Sequence, residues 1–368
     1  MIIRFSLISP LCLYSILTFA QGMVSADSTS TTHSIGFRIS SGILIPHERS
    51  LKPLKKGNIK SFELSYSLIK YDSKAWRSFY NHPEVGVSYM FMDLGYQEVL
   101  GYSHSIYPYI EFPIIKHNRS LALGFKVALG LSYFTKMYDS ISNRSNIAIS
   151  TPINMYASLG LNLSYRFADK VSANVGVNAS HFSNSSIKKP NYGLNIPLLN
   201  IGFNYNFNSN ARTFSKTRDF DTEKTEWLII ITGGVKETKD PGGSKYGIGS
   251  FSVEYSKPFK TFLRYGASFD YMYDGSTFVH FREDSVPYHS RFKASKAGIS
   301  LLGEMSLYRL SAFGNLGIYI YNYDKQLSAI YQKVGLRYRI TESIHTQIAL
   351  KTHLNVADYF EFGVGLRL

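Results

Sequence analysis

The sequence has one cysteine, few charged side chains and no long hydrophobic run after its N-terminal segment. Cys12 lies inside that segment, so a chain cleaved after it has neither a disulfide nor a cysteine nucleophile. No later stretch is apolar enough for a transmembrane helix, because polar residues recur at every second position. Charged residues make up only 18% of the chain and aromatic residues 15%, a balance that favours a large lipid-facing surface over a soluble domain.

The N-terminal segment has the organisation of a secretory signal peptide. Arg4 supplies the positive start, residues 5–20 are apolar, and Ala20 or Ala26 offers a small-residue cleavage point. We therefore interpret residues 1–26 as a signal peptide and expect the remaining chain to be exported.

Most of the exported chain alternates between apolar and polar residues, the period of a strand with two unlike faces. The pattern predicts about eight strands in residues 27–208 and about eight more in 226–368, separated by a polar linker at 209–225. We predict an all-β, antiparallel outer-membrane β-barrel protein built from two repeated halves. One wide barrel is slightly favoured over two eight-stranded barrels, because two separate barrels in one chain are the rarer arrangement.

The predicted connections alternate in length, as expected of an outer-membrane barrel with a periplasmic N-terminus. Three connections that fall outside the cell are long, at 46–58, 135–146 and 184–192, whereas most periplasmic ones are short. The segment 72–83 is an exception, since it is long and periplasmic. The net charge of +14 is consistent with a surface that carries phosphorylated lipid, or with solvated loop residues; no nucleic-acid motif accompanies it, and we expect no nucleic-acid partner.

One predicted hairpin carries a group of side chains suited to ester hydrolysis. His181 and Ser183 are two residues apart on a strand, so both project from the same face with Cβ atoms roughly 7 Å apart. A serine hydroxyl needs a neighbouring base to act as a nucleophile, and the base needs a group that orients it. Asn195 on the returning strand offers such a group, and Asn184 or the backbone N–H groups of the turn could stabilise an oxyanion. In an outer-membrane barrel this apolar face points to lipid.

The run from His181 to Leu194 resembles the signature of the lipid A 3-O-deacylase (PagL, acyloxyacyl hydrolase) family of outer-membrane enzymes. Its members are eight-stranded barrels that remove an ester-linked acyl chain from the lipid A of lipopolysaccharide. The resemblance implies a Gram-negative outer-membrane location, Ser183 as nucleophile, His181 as base and Asn184 as oxyanion donor. Asn191 matches a second asparagine of the motif that shapes the site. No cofactor and no metal are implied.

The loop between the two strands also carries two adjacent lysines, Lys188 and Lys189. They suit the phosphate groups of lipid A, and solvated loop lysines are an equal alternative.

The chain departs from the family pattern in two ways. The better-known members carry a glutamate that orients the histidine, where this chain has Asn195, and compact members lack the second half. That half looks like a copy of the first in which His353 takes the place of His181; it lies on the polar face, and we interpret it as a lumen or interface residue. The alternative function is a non-catalytic barrel, either a channel or a structural or adhesive protein with a degenerate deacylase hairpin.

Overall fold

The computed structural model describes residues 30–72, 74–115, 120–207, 224–238, 242–260, 262–287, 290–324, 326–354 and 356–368. The predicted signal peptide, 1–26, and residues 209–223 of the predicted linker lie outside these ranges. None of the helices within the described ranges is long and apolar enough to cross a membrane.

The first part of the chain forms eight antiparallel strands. They are β1 (Ser30–Gly42), β2 (Ile59–Tyr71), β3 (Glu84–Asp93), β4 (Tyr102–Pro113), β5 (Leu121–Phe134), β6 (Ile153–Arg166), β7 (Val171–Ser183) and β8 (Leu194–Asn206). Each strand pairs with the next, and β8 pairs with β1 from Leu198 to Asn206, which closes the sheet into a barrel.

The second part of the chain repeats this arrangement. Its strands are β9 (Glu226–Glu237), β10 (Lys245–Lys260), β11 (Leu263–Asp274), β12 (Ser295–Leu307), β13 (Leu310–Asn322), β14 (Ile330–Arg339), β15 (Ile344–His353) and β16 (Val356–Arg367). β16 pairs with β9, so this sheet also closes on itself. The connections within the described ranges contain four short helices: two 3₁₀ helices, Arg49–Leu54 and Arg291–Ala294, and two α-helices, α1 (Ala75–Phe79) and α2 (Thr277–Glu283).

The all-β, antiparallel prediction in two halves of eight strands is confirmed, but the preference for one wide barrel is wrong. The two sheets close separately because β8 bonds to β1, and β9 bonds to β10 and β16. Paired polar side chains in the interior explain why a barrel of only eight strands is stable. In the first barrel the carboxylate of Glu63 accepts hydrogen bonds from Lys126 at 2.8 Å and from Arg38 at 3.3 Å. Eight strands leave an interior that such side chains can fill.

The interior of the second barrel is still more charged. Arg337 donates to Glu254 at 2.9 Å and to Glu304 at 2.8 Å, while Asp270 accepts from Lys333 at 3.2 Å. His353 also lies on the interior side of its strand, 2.9 Å from the hydroxyl of Tyr319. The expected lumen position of His353 is therefore confirmed.

Outward-facing side chains on both barrels are large, apolar and exposed, which suits a lipid-facing wall. On β1 and β8 they include Ile35, Phe37, Ile39, Leu199, Ile201 and Phe203. A hydrophobic cluster fills the outer end of the first barrel under the extracellular connections. Its fully buried members include Leu51, Phe134, Ile149, Phe182 and Leu194. This cluster anchors the loops that surround the hairpin between β7 and β8.

The two barrels contact each other at their periplasmic ends. The long segment 72–83, which breaks the expected short-turn pattern, contains α1 and reaches the turns of the second barrel. The hydroxyl of Tyr80 donates to the carbonyl of Ser306 at 3.3 Å, and the ring of Phe79 lies 5.5 Å from that of Phe262, edge to face. The unusual length of this segment is therefore used for contact between the barrels.

A second contact joins the barrels at their outer ends. The backbone N–H of Glu237, the last residue of β9, donates to the carbonyl of Ser186 at 2.8 Å. The carboxylate of Glu237 in turn accepts a hydrogen bond from the backbone N–H of Lys189. Ser186 and Lys189 both belong to the loop between β7 and β8, which follows Ser183 directly.

Candidate active site on the outer wall of the first barrel

The upper end of β7 carries His181 and Ser183 on the lipid-facing side of the barrel. Lower on the strand Val175 and Val177 are exposed, whereas Ser180 and Phe182 of the opposite register are buried in the lumen. His181 and Ser183 continue the register of the exposed valines. The placement predicted from the alternation is therefore observed, and Ser183 is largely covered, with 9% of its surface exposed.

Asn195 lies directly across from His181 in the ladder between β7 and β8. The two side chains meet: Nδ1 of His181 and Oδ1 of Asn195 are 2.6 Å apart. An amide oxygen only accepts hydrogen bonds, so with Oδ1 of Asn195 toward the ring Nδ1 of His181 is the donor and Nε2 keeps its lone pair. This arrangement leaves Nε2 able to accept a proton.

The loop after Ser183 also approaches the histidine. Gly193 has a φ of +74°, and a Cβ placed on it would lie 3.0 Å from Cε1 of His181 and 3.4 Å from Cβ of Ser183. The same Cβ would lie 2.7 Å from the carbonyl oxygen of Phe182. His181 and Ser183 therefore border the same small space, which stays open because residue 193 has no side chain.

Asn184 is buried beside the nucleophile position, but its donors are used within the protein. Three acceptors surround the two N–H hydrogens of its side-chain amide: Ser150 Oγ at 3.0 Å, Thr151 Oγ1 at 3.1 Å and the carbonyl of Lys188 at 3.1 Å. Its backbone N–H donates to Oδ1 of Asn191 at 3.1 Å. The two asparagines thus connect the two ends of the loop 184–193.

The two lysines of the loop have different surroundings. Lys188 is exposed. Lys189 is partly buried at the junction between the barrels, and this burial lowers the pKa of its ammonium group; nearby Lys236 lowers the pKa further, while Asp358 and Glu237 oppose the shift. Of these two lysines, Lys188 is therefore the one whose ammonium group is exposed to the outside of the barrel.

An apolar depression lies on the outer wall next to these side chains. It has a volume of about 600 Å³, and its lining includes Leu159, Val177, Ala179, Pro197 and Leu199. Ala179 and Pro197 are the next outward-facing pair in the ladder below His181 and Asn195. The depression therefore begins one step below the polar group and continues toward the middle of the membrane.

The part of the chain that the structure describes holds no group of three or more His, Cys, Asp or Glu side chains arranged to bind an ion.

Two residues near the site were not predicted from the sequence. Nδ1 of His47, in the connection between β1 and β2, lies 3.0 Å from Nδ2 of Asn195. Nothing in the pattern around His47 points to this contact, because the connection has no periodicity and is distant in sequence. For Gly193 the sequence held a weak indication, because a glycine between a turn and a strand often marks a close approach of the backbone.

The fold and the position of these side chains define an outer-membrane β-barrel with a polar group on its lipid-facing wall. Two family models match the chain: lipid A 3-O-deacylase (PagL) over residues 60–204, and the C-terminal domain of acyloxyacyl hydrolase over residues 225–368. The chain belongs to the lipid A 3-O-deacylase family, and its place is the outer membrane of a Gram-negative bacterium.

Individual proteins give weaker similarity. No curated protein matches the chain. Among solved structures, Neisserial surface protein A has 14% identity over 49% of this chain and 100% of its own, with a TM-score of 0.31. The outer-membrane enzyme PagL has 18% identity over 45% of this chain and 97% of its own, also with a TM-score of 0.31. A Rh. blastica porin variant covers 92% of this chain at 9% identity and a TM-score of 0.20. Because these scores are low, the family assignment depends on the two family models.

Proposed function

We propose that this protein is an outer-membrane serine esterase that removes an ester-linked acyl chain from lipid A. The observation that carries the proposal is the 2.6 Å contact between Nδ1 of His181 and Oδ1 of Asn195, on a lipid-facing surface beside Ser183. This contact gives the imidazole the protonation state that activates a serine. The family description adds the substrate class, and its name points to the ester at the 3-O position.

In the proposed reaction, Nε2 of His181 takes the proton of Ser183 as Oγ attacks the ester carbonyl carbon. The tetrahedral oxyanion then collapses, the sugar oxygen leaves with the proton from His181, and the acyl group stays on Ser183. A water molecule, deprotonated by the same imidazole, hydrolyses this acyl-enzyme and releases the fatty acid. Asn195 orients the ring throughout, without the charge that a carboxylate would add.

The oxyanion needs hydrogen-bond donors next to Ser183. The side chain and the backbone N–H of Asn184 already donate to protein groups. We therefore assign the oxyanion contact to the backbone of the turn that follows Asn184, where Ser185 and Ser186 have φ values of 47° and 66°. Asn184 itself supports the turn.

The surroundings of the group suit a membrane lipid. The apolar depression below His181 and Asn195 offers a path for an acyl chain that lies in the outer leaflet, and Lys188 is exposed above it in the extracellular loop. An ester bond of lipid A lies between its phosphorylated sugars and its acyl chains, so it would meet Ser183 at the boundary between these two environments.

The alternative is a barrel without catalysis, either a channel or a structural or adhesive protein. The first barrel closes with eight strands, and a cavity of about 20 Å³ in its lumen is lined by side chains that include Arg38, Glu63 and Lys126. This narrow lumen favours the esterase over a wide channel, and the following experiment separates the esterase from every non-catalytic barrel.

Mass spectrometry of lipid A from cells that express the protein tests the proposal. Wild type is expected to produce lipid A lighter by one hydroxyacyl chain, and Ser183→Ala and His181→Gln to abolish the change. Ser172→Ala is the matched control, because Ser172 lies on the same strand at its periplasmic end and should leave the product unchanged. Identical spectra from correctly inserted wild type and Ser183→Ala would show that the barrel is not a serine esterase.

A further inference from the structure

The side-chain amide of an asparagine that orients a catalytic histidine has two chemically different ends, whereas the two oxygens of a carboxylate are equivalent. Its oxygen accepts hydrogen bonds and its nitrogen donates them. Only the orientation with Oδ1 toward His181 leaves the proton on Nδ1 and the lone pair on Nε2. In the opposite orientation Nδ2 would donate to Nδ1, the proton of His181 would move to Nε2, and the ring could not accept the proton of Ser183.

His47 lies at the other end of this amide. Its Nδ1 is 3.0 Å from Nδ2 of Asn195, and the backbone N–H of Ile45 donates to the carbonyl of Asn195 at 2.9 Å. The segment that carries His47 is therefore attached to the same residue twice. Leu44 and Leu51, on either side of His47 in sequence, are buried in the cluster at the outer end of the barrel. They anchor the segment on both sides of His47, whose own side chain is exposed apart from this contact.

We propose that His47 is a positioning residue that fixes the orientation of the Asn195 amide, an inference that rests on the proposed esterase function. Nδ1 of His47 accepts the Nδ2–H of Asn195, and this bond turns Oδ1 toward His181. The two hydrogen bonds then run in one direction, from His181 to Asn195 and from Asn195 to His47, and Nε2 of His181 is left to take the proton of Ser183 in the proposed reaction. Asn195 and His47 together do what one carboxylate does elsewhere in the family, apart from supplying charge.

A double-mutant cycle between residues 47 and 195 tests this role. His47→Phe keeps a ring but removes the acceptor, and is expected to lower kcat about three- to tenfold, the effect of one neutral hydrogen bond, with KM nearly unchanged. In Asn195→Asp the new carboxylate has the shape of the amide but two accepting oxygens, so either oxygen can accept the hydrogen bond from Nδ1 of His181. In that background His47→Phe should have no effect on kcat.

Equal losses in both backgrounds, or no loss in the native background, would overturn the proposal. All variants are purified as folded barrels in detergent and assayed on lipid A in mixed micelles, with Ser183→Ala as the blank. A wild type that matches this blank refutes the esterase function instead.

A second measurement distinguishes failure of the positioning role from failure of the esterase function. With ¹⁵N-labelled histidine, the ring shifts report which nitrogen of His181 carries the proton, and His181→Gln assigns the signals. Wild type should show the proton on Nδ1, and His47→Phe a mixture of both tautomers, whether or not the protein is active. An unchanged tautomer in His47→Phe refutes the positioning role.

A different observation gives the second barrel a role in the same site. Glu237 is only 5% exposed and holds the loop 184–193 at two points, the carbonyl of Ser186 and the backbone N–H of Lys189. Ser186 has a left-handed backbone with a φ of 66°, which is unfavourable for a residue with a side chain unless neighbours hold it. The geometry points to Glu237 as a positioning residue that braces, from the second barrel, the loop around Ser183.

Variants of Glu237 distinguish the hydrogen bond that its side chain accepts from the loop from the effect of its negative charge. Glu237→Gln keeps an accepting oxygen and should retain nearly full kcat, whereas Glu237→Ala should lower kcat severalfold with little change in KM. Trypsin cleavage after the exposed Lys188 gives a readout independent of activity, and we expect it to be faster in Glu237→Ala alone. Wild-type cleavage rates in Glu237→Ala, or equal losses in both variants, would overturn the brace.

Discussion

Replacing Gly193 by alanine should disturb catalysis far more than folding. The new Cβ would lie 2.7 Å from the carbonyl oxygen of Phe182 and 3.0 Å from Cε1 of His181. Carbon atoms do not normally approach this closely, and the backbone oxygen cannot rotate away. The loop, the imidazole or both must therefore shift by a few tenths of an ångström.

Two costs contribute to the expected effect. Alanine in the left-handed region costs about 1–2 kcal/mol relative to glycine, which lowers the free energy of unfolding. The shift of His181 relative to Ser183 acts on the rate instead, because a misplacement approaching 1 Å can cost about a hundredfold. We expect kcat to fall about tenfold to a hundredfold, with a smaller change in KM.

Gly242 supplies the matched control. Its φ is +77°, close to that of Gly193, but a Cβ placed there would meet nothing within 4 Å. Gly242→Ala should therefore lose similar stability and keep its activity. Thermal unfolding and lipid A deacylation in micelles would be measured on both variants. Full activity in folded Gly193→Ala, or the same loss in Gly242→Ala, would refute the reasoning.

Three further variants follow from buried contacts. Glu63→Ala leaves the buried cations of Arg38 and Lys126 without their shared acceptor, so the free energy of unfolding in urea should fall by about 3–5 kcal/mol, and less in Glu63→Gln. Asn184→Ala should lower activity and also speed trypsin cleavage of the neighbouring loop, whereas loss of a pure oxyanion donor would change kcat alone. Tyr80→Phe removes one hydrogen bond between the barrels and should lower stability by about 1 kcal/mol without affecting activity.

The strands could be predicted from the sequence because the alternation is strong. The pattern predicted one strand that carries both His181 and Ser183, and β7 runs from Val171 to Ser183. The face of His181 followed from the same register. Which strand closes the sheet could not be predicted, since alternation specifies two faces and not a partner for β8. Narrow closure brings together interior pairs such as Glu63 with Lys126, and such pairs cannot be recognised before the strands are assembled into a sheet.

The candidate site could be predicted from the sequence only in part. His181, Ser183 and Asn195 lie close to one another along the hairpin, so spacing and register sufficed to bring them together. His47 is 148 residues away from Asn195 in sequence and belongs to a connection without periodicity. The donors of Asn184 looked free in the sequence, because Ser150 and Thr151 reach it from another connection.

The contacts at both ends of the two barrels limit the directions from which a membrane lipid can reach the outer wall of the first barrel. A single barrel turns freely about its axis, and a lipid can reach its wall from any direction. Here Tyr80 joins the barrels on the periplasmic side and Glu237 joins them on the outer side, so neither barrel can rotate against the other. Because the outer contact is made by the loop next to Ser183, one sector beside the site is occupied by protein. A lipid diffusing in the outer leaflet must then arrive from the remaining sector, in a restricted range of orientations.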